Sequence, residues 1–190
     1  GVVVTGEDGR VRSFQEKPAP ADALSDLVNV GVYCFDAAIF DEIPAEGQSD
    51  FGSEILPRLV AAGADVRAWV TDAFWSDIGS LDELLSTNLA IASGAVDVDP
   101  AGDLIMDSDC GLPNVSPDSV ITGPVLIGEG AEVHSGATII GPAVIGQRAV
   151  IEQGAVVEQA LVLPEAEIHA DSPASGILGD VENLDAVWQR

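Results

Sequence analysis

Lys17 is the only lysine among 190 residues, and it follows a carboxylate in Phe14-Gln15-Glu16-Lys17-Pro18. With 7 basic against 32 acidic residues, one ammonium group kept in this place suits a task that needs a mobile point charge, such as holding a phosphate. A salt bridge at a strand end is the competing reading. In Asn29-Val30-Gly31-Val32-Tyr33 a polar side chain and a glycine interrupt an otherwise apolar run. Gly31 there permits close approach of a ligand to the backbone, or else marks a bulge. Trp75-Ser76-Asp77-Ile78-Gly79-Ser80 places a carboxylate between an aromatic ring and a helix start. Asp77 is suited to a divalent cation, since a magnesium site for phosphoryl chemistry needs only one or two carboxylates plus phosphate oxygens. A capping role for Asp77 is weakened because Ser80 and Glu83 already form an S-x-x-E capping box.

The elements that must position these groups are mixed. Residues 1–5 and 10–15 pattern as strands joined by a turn at Gly6-Glu7-Asp8-Gly9, which predicts a hairpin. The run 28–35 is a third apolar segment and 65–71 a further strand. Residues 53–62, stopped by Gly63, and 80–93, stopped by Gly94, pattern as helices. Residues 1–94 thus form an α/β segment, 95–114 an Asp-, Gly- and Pro-containing linker, and 171–190 a C-terminal tail, in which Leu184, Val187 and Trp188 could pack back on the fold.

Residues 115–170 carry a repeat of six. Val115, Ile121, Ile127, Val133, Ile139, Ile145, Ile151, Val157 and Leu163 are all aliphatic, and a parallel register holds Ala131, Ala137, Ala143, Ala149 and Ala155. A six-residue period fits neither a helix nor a simple strand; it resembles the left-handed parallel β-helix of hexapeptide-repeat proteins, in which three hexads make one triangular coil.

The formal charge of −25 excludes nucleic-acid binding by a basic face. The apolar fraction of 47% excludes a disordered chain. Acidic residues run evenly through both halves, which predicts a protein adapted to concentrated salt that loses structure below about molar salt. Cys34 and Cys110 have no metal-ligand spacing and are expected as reduced packing thiols of a cytoplasmic protein. No apolar run approaches the roughly 18 residues that span a bilayer, so no membrane association is expected.

In order, Gly1-Val2-Val3, Phe14-Gln15-Glu16-Lys17-Pro18, Asn29-Val30-Gly31-Val32-Tyr33, Asp50-Phe51-Gly52-Ser53-Glu54-Ile55-Leu56-Pro57 and Trp75-Ser76-Asp77-Ile78-Gly79, ahead of hexapeptide repeats, resemble the sugar-1-phosphate nucleotidyltransferases. The resemblance covers nearly the whole chain and corresponds to the C-terminal part of that family. It implies the end of a Rossmann-like α/β domain followed by a left-handed parallel β-helix. It also implies transfer of a nucleotidyl group from an NTP to glucose-1-phosphate or mannose-1-phosphate, with Mg2+.

Carried over by motif, Gly1 would contact the sugar through its backbone and Glu16 would accept hydrogen bonds from sugar hydroxyls. Lys17 would meet the sugar phosphate, Asn29 would line the same pocket, and Asp77 would be one of two magnesium-binding aspartates. The family's nucleotide-binding half, with its glycine-rich loop and second metal aspartate, has no counterpart in these residues. The chain is therefore expected to be inactive alone. Two rival readings are a scaffolding subunit that forms homo-oligomers through its β-helix, and a hexapeptide-repeat acyltransferase. The second would need His134 or His169 as general base, and His134, next to inward Val133, is expected to face out of the coil.

Overall fold

A computed structural model describes residues 1–44, 46, 47, 49–100, 102–107 and 111–181. Cys110, Leu184, Val187 and Trp188 lie outside the described residues. The chain divides into two compact units, Gly1–Trp75 and Ser76–Arg190.

In the first unit, β1 (Val2–Thr5) and β2 (Val11–Gln15) form the expected antiparallel hairpin, with Val2 opposite Gln15. Asp8 closes the turn by accepting the Arg10 N–H at 3.2 Å, and Gly9 takes φ 75°, where only glycine is unstrained. The apolar run at 28–35 is not a strand; it meets β1 only through a Val2–Val28 bridge. Residues 65–71 flank the hairpin in the same way: the Val11 N–H bonds to Val66 O at 2.9 Å, and Arg10 and Arg67 bridge. The first expected helix begins as a wide π turn over Phe51–Ile55, capped by Asp50, and continues as α1 (Leu56–Ala61). Gly63, at φ 77°, ends it.

Few side chains of this unit are enclosed: Val3, Val11, Ile55 and Leu56 are buried, whereas Trp69 is 93% and Val32 81% exposed. Cys34, expected as a packing thiol, is exposed. The reason is local: 28–35 lies on no ladder that would turn it inward.

In the second unit, α2 (Leu81–Ala92) precedes a parallel solenoid. Its strands are β3 (Asp103–Asp107), β4 (Val120–Ile127), β5 (Glu132–Val133), β6 (Thr138–Ile140), β7 (Ala143–Ile145), β8 (Val150–Ile151), β9 (Val156–Glu158), β10 (Ala160–Val162), β11 (Glu167–Ile168) and β12 (Gly176–Leu178). Strand β3 lies inside the stretch expected to be a plain linker. It pairs antiparallel with β4 and buries Ile105.

All other pairings are parallel. Val120 pairs with Thr138 and then Thr138 with Val156, Val125 pairs with Ala143, and Glu132 pairs with Val150. Each step is three hexads, one turn of a three-faced coil, the geometry of a left-handed β-helix. The interior column is nearly dry: Val133, Ile139, Ile145, Ile151 and Val157 are at most 1% exposed, and the alanines of the second register are buried too. Burying each such aliphatic side chain is worth about 1.5–3 kcal/mol.

The six-residue period slips at Gln159, and the last coil is shorter again, with Leu161 pairing with Ile177. Leu163, expected inside, is only partly buried and packs on the outer cluster, while Val162 takes the interior place. Gln159 turns at φ 46° with its N–H on Ile140 O. The next coil is one residue shorter, so Val144 pairs with Leu161. At the corners the coils approach too closely for a side chain: a Cβ on Gly146 would lie 2.5 Å from Pro164 N.

Helix α2 is explained by its ends and one face. Ser80 accepts the Glu83 N–H at 3.2 Å, and Glu83 Oε2 accepts the Ser80 hydroxyl at 2.9 Å and the Gly79 N–H at 3.1 Å. This is the capping box expected from sequence, with the Glu reaching one residue further out. Gly94 at φ 76° terminates the helix. Leu84, Leu85 and Ala92 pack on Leu126, Val144 and Leu161, the outward residues of one solenoid face.

Candidate sugar-phosphate site

In the first unit the hairpin brings Gly1 beside Glu16. A Cβ on Gly1 would sit 3.4 Å from Glu16 Oε2, so backbone and carboxylate flank the same space. The Gly1 carbonyl accepts the Asn29 N–H at 2.9 Å, which fixes Asn29 next to the strand end. Three of the expected residues, Gly1, Glu16 and Asn29, are therefore neighbours. Lys17 follows Glu16 directly, where the chain leaves β2.

Lys17 is exposed and has φ 42°, the left-handed region that a non-glycine residue enters at a cost of about 1–3 kcal/mol. Its charge is also left open. Arg10 and Arg67 share Asp65, Arg12 pairs with Asp8, Arg58 with Glu42, and Arg148 with Glu165. Among the described residues Lys17 is the one side-chain ammonium or guanidinium without a carboxylate partner. The salt-bridged strand end is thus not what forms.

Asn29 is anchored at both ends of its amide: Nδ2 donates to Tyr33 Oη at 2.8 Å, and Oδ1 accepts the Gly31 N–H at 3.2 Å. A Cβ on Gly52 would lie 3.5 Å from both Asn29 Nδ2 and Asp50 Oδ1, so the turn at 50–53 borders this amide. Asp50 Oδ1 accepts the Ser53 N–H at 2.6 Å and the Ser53 hydroxyl at 2.8 Å. These bonds, the backbone one foremost, hold its carboxyl below the usual carboxylate range. Phe35 stacks on Tyr33 and on Phe51, and Tyr33 meets Phe51 tilted, with ring centroids 5.2–5.6 Å apart. The sequence motifs contain Tyr33, Asp50 and Gly52 without giving them a task; the aromatic spacing 33, 35 and 51 was the available signal.

Asp77 belongs to the second unit. It is exposed, its carboxylate oxygens lie 3.8 Å from a Cβ on Gly79, and it precedes Ile78 at φ 46°. A β-branched residue in that region is a genuine outlier. Among the described residues no group of three or more His, Cys, Asp or Glu converges on a metal position. A single open carboxylate does fit a magnesium ion that takes its other ligands from phosphates and water. His134 faces out of the coil, as expected, within 3.5 Å of Glu132. No helix among the described residues is long and apolar enough to cross a membrane.

Comparison with known proteins agrees with this architecture. The Nucleotidyl transferase family matches residues 1–94, and the Bacterial transferase hexapeptide family (six repeats) matches 124–159. A UTP–glucose-1-phosphate uridylyltransferase of Synechocystis sp. is 34% identical over 148 residues, 74% of this chain and 37% of that protein. A glucose-1-phosphate thymidylyltransferase of Streptomyces antibioticus is 33% identical over 137 residues, covering 70% of this chain and 35% of the relative. A mannose-1-phosphate guanylyltransferase of Mycobacterium tuberculosis is 28% identical over 145 residues, 73% and 39% of the two chains.

The fold is accordingly that of a nucleotidyl transferase segment joined to a hexapeptide solenoid. Residues 1–94 belong to the Nucleotidyl transferase family, and the chain is similar to sugar-1-phosphate nucleotidyltransferases, of whose length it spans well under half.

Proposed function

We propose that this chain supplies the sugar-1-phosphate side of a nucleotidyl transfer that forms an NDP-sugar and pyrophosphate from an NTP and glucose-1-phosphate or mannose-1-phosphate. The observation that carries this reading is Lys17 beside Glu16, without a carboxylate partner among the described residues, on a chain of charge −25. Lys17 holds the sugar phosphate. Glu16 accepts hydrogen bonds from ring hydroxyls, while Gly1 and Asn29 line the same pocket. In the reaction a phosphate oxygen of the sugar-1-phosphate bonds to the α-phosphorus of the NTP, and the bond from that phosphorus to the departing pyrophosphate breaks.

Both reactants are anions, so positioning and charge neutralisation supply most of the acceleration. Lys17 neutralises the nucleophile's phosphate. A magnesium ion held by Asp77 and phosphate oxygens would screen the triphosphate and its leaving group. Nucleotide binding and the second metal carboxylate are assigned to a further polypeptide segment. The apolar groups left uncovered in the first unit, Trp69, Val32 and Phe40 among them, support the presence of such a covering partner.

The chain alone is accordingly expected not to turn over; pyrophosphate release by these 190 residues with sugar-1-phosphate, NTP and Mg2+ in concentrated salt would refute that part. A scaffolding role is favoured by one observation: Val120, Ile140 and Val156, on one solenoid face, are at least 36% exposed. We assign that face to homo-oligomer contacts, and sedimentation as a monomer in high salt contradicts it. The cell compartment consistent with the exposed thiol of Cys34 and the acidic surface is a salt-rich cytoplasm.

A further inference from the structure

The Asn29 amide is built into its place by a group that the transfer chemistry itself does not require. Its Oδ1 must face the Gly31 N–H, which can only donate, so Nδ2 is turned to Tyr33 Oη. An amide has two donors and two acceptor lone pairs. One of each is used, which leaves one N–H and one lone pair to present together to neighbouring hydroxyls of a sugar ring. Tyr33 is itself held by stacking on Phe35 at 5.6 Å and contact with Phe51 at 5.6 Å, the first residue of the turn that Asp50 caps. Ring stacking sets the phenol, and the phenol sets the amide.

We propose that Tyr33 is a positioning residue for the sugar subsite: its hydroxyl fixes the Asn29 amide so that it offers one donor and one acceptor to adjacent sugar hydroxyls. The inference rests on the sugar-phosphate reading of the Gly1–Glu16–Asn29 site and adds a residue to it. Tyr33 touches Asn29 and acts through it.

The test uses the 190-residue chain in concentrated salt, titrated with glucose-1-phosphate, mannose-1-phosphate and inorganic phosphate, as the wild type and as Y33F, N29A and K17A. Y33F keeps the stacked ring and removes only the hydroxyl. The expected result is a three- to tenfold weaker affinity of Y33F for the preferred sugar phosphate, roughly the worth of one hydrogen bond. Its affinity for inorganic phosphate should be unchanged, and the Asn29 side-chain amide resonance should shift in the free protein. Sugar-phosphate affinity that falls in N29A but not in Y33F overturns the role of Tyr33 alone. Loss of fold in Y33F, or an equal loss of inorganic phosphate binding, makes Tyr33 merely structural and also overturns it. If the wild type binds neither sugar phosphate, or if K17A and N29A bind as the wild type does, the underlying site reading falls together with the inference.

Discussion

Lys17 is set apart by what it forgoes. The ammonium group has many carboxylates to choose from and takes none among the described residues, at a backbone conformation that costs free energy. The lysine stands out in the sequence by being alone; that it has no carboxylate partner among the described residues was not legible, because pairing is decided by where the strand end turns. Asn29 was legible as a polar interruption, whereas Tyr33 and Asp50 were not, since a ring stack and a cap are contacts across loops. For Asp77, substitution by Asn is expected to raise the Mg2+ concentration needed for half-maximal pyrophosphate release in the complete enzyme. An unchanged Mg2+ dependence would remove Asp77 from the metal site. Asp50, whose carboxyl is held low by Ser53, contributes stability that is in force above the ordinary carboxylate value of about 3.9 and is lost as pH falls through its depressed folded value. D50N should therefore flatten the acid limb of unfolding followed by circular dichroism, and an identical acid limb would contradict the assignment.

The elements were legible in proportion to how local their causes are. The solenoid follows from a six-residue column of aliphatic side chains with alanines between them, so coil length and parallel pairing could be anticipated. The slip at Gln159 could not, because Val162 and Leu163 are equally apolar and only the corner turn selects between them. The helix at 81–92 was legible from Ser80, Glu83 and Gly94, but its partner was not: Leu126, Val144 and Leu161 read as ordinary strand residues until the coils stack them on one face. The run at 28–35 has the composition of a strand and lacks a ladder to join. Because Ser80 bonds the Glu83 N–H and hydroxyl chemistry closes the box, S80A is expected to lower unfolding stability by about 1 kcal/mol. Denaturant titration would show it, and a change below about 0.3 kcal/mol would mean that the cap contributes little there.

At the scale of the whole molecule, charge and apolar surface pull in opposite directions. A charge of −25 on 190 residues repels itself and is tolerated when ions shorten the range of that repulsion to a few ångströms. Diluting salt from several molar to about 0.1 M should therefore unfold the chain, seen as loss of far-ultraviolet dichroism; full retention of structure at low salt would contradict salt adaptation. The poorly enclosed first unit, with Trp69 almost fully exposed, should lose its structure before the solenoid, whose interior column is dry.

The central claim is that Lys17 meets the phosphate of a sugar-1-phosphate, and steady-state kinetics of pyrophosphate release by the complete enzyme carrying this segment tests it most directly. The wild type should require sugar-1-phosphate, NTP and Mg2+. K17A should raise KM for the sugar-1-phosphate by about tenfold or more, the worth of a charge-assisted hydrogen bond, while KM for the NTP stays within about twofold. Kinetics of K17A indistinguishable from the wild type, or no release with either glucose-1-phosphate or mannose-1-phosphate, would contradict the account.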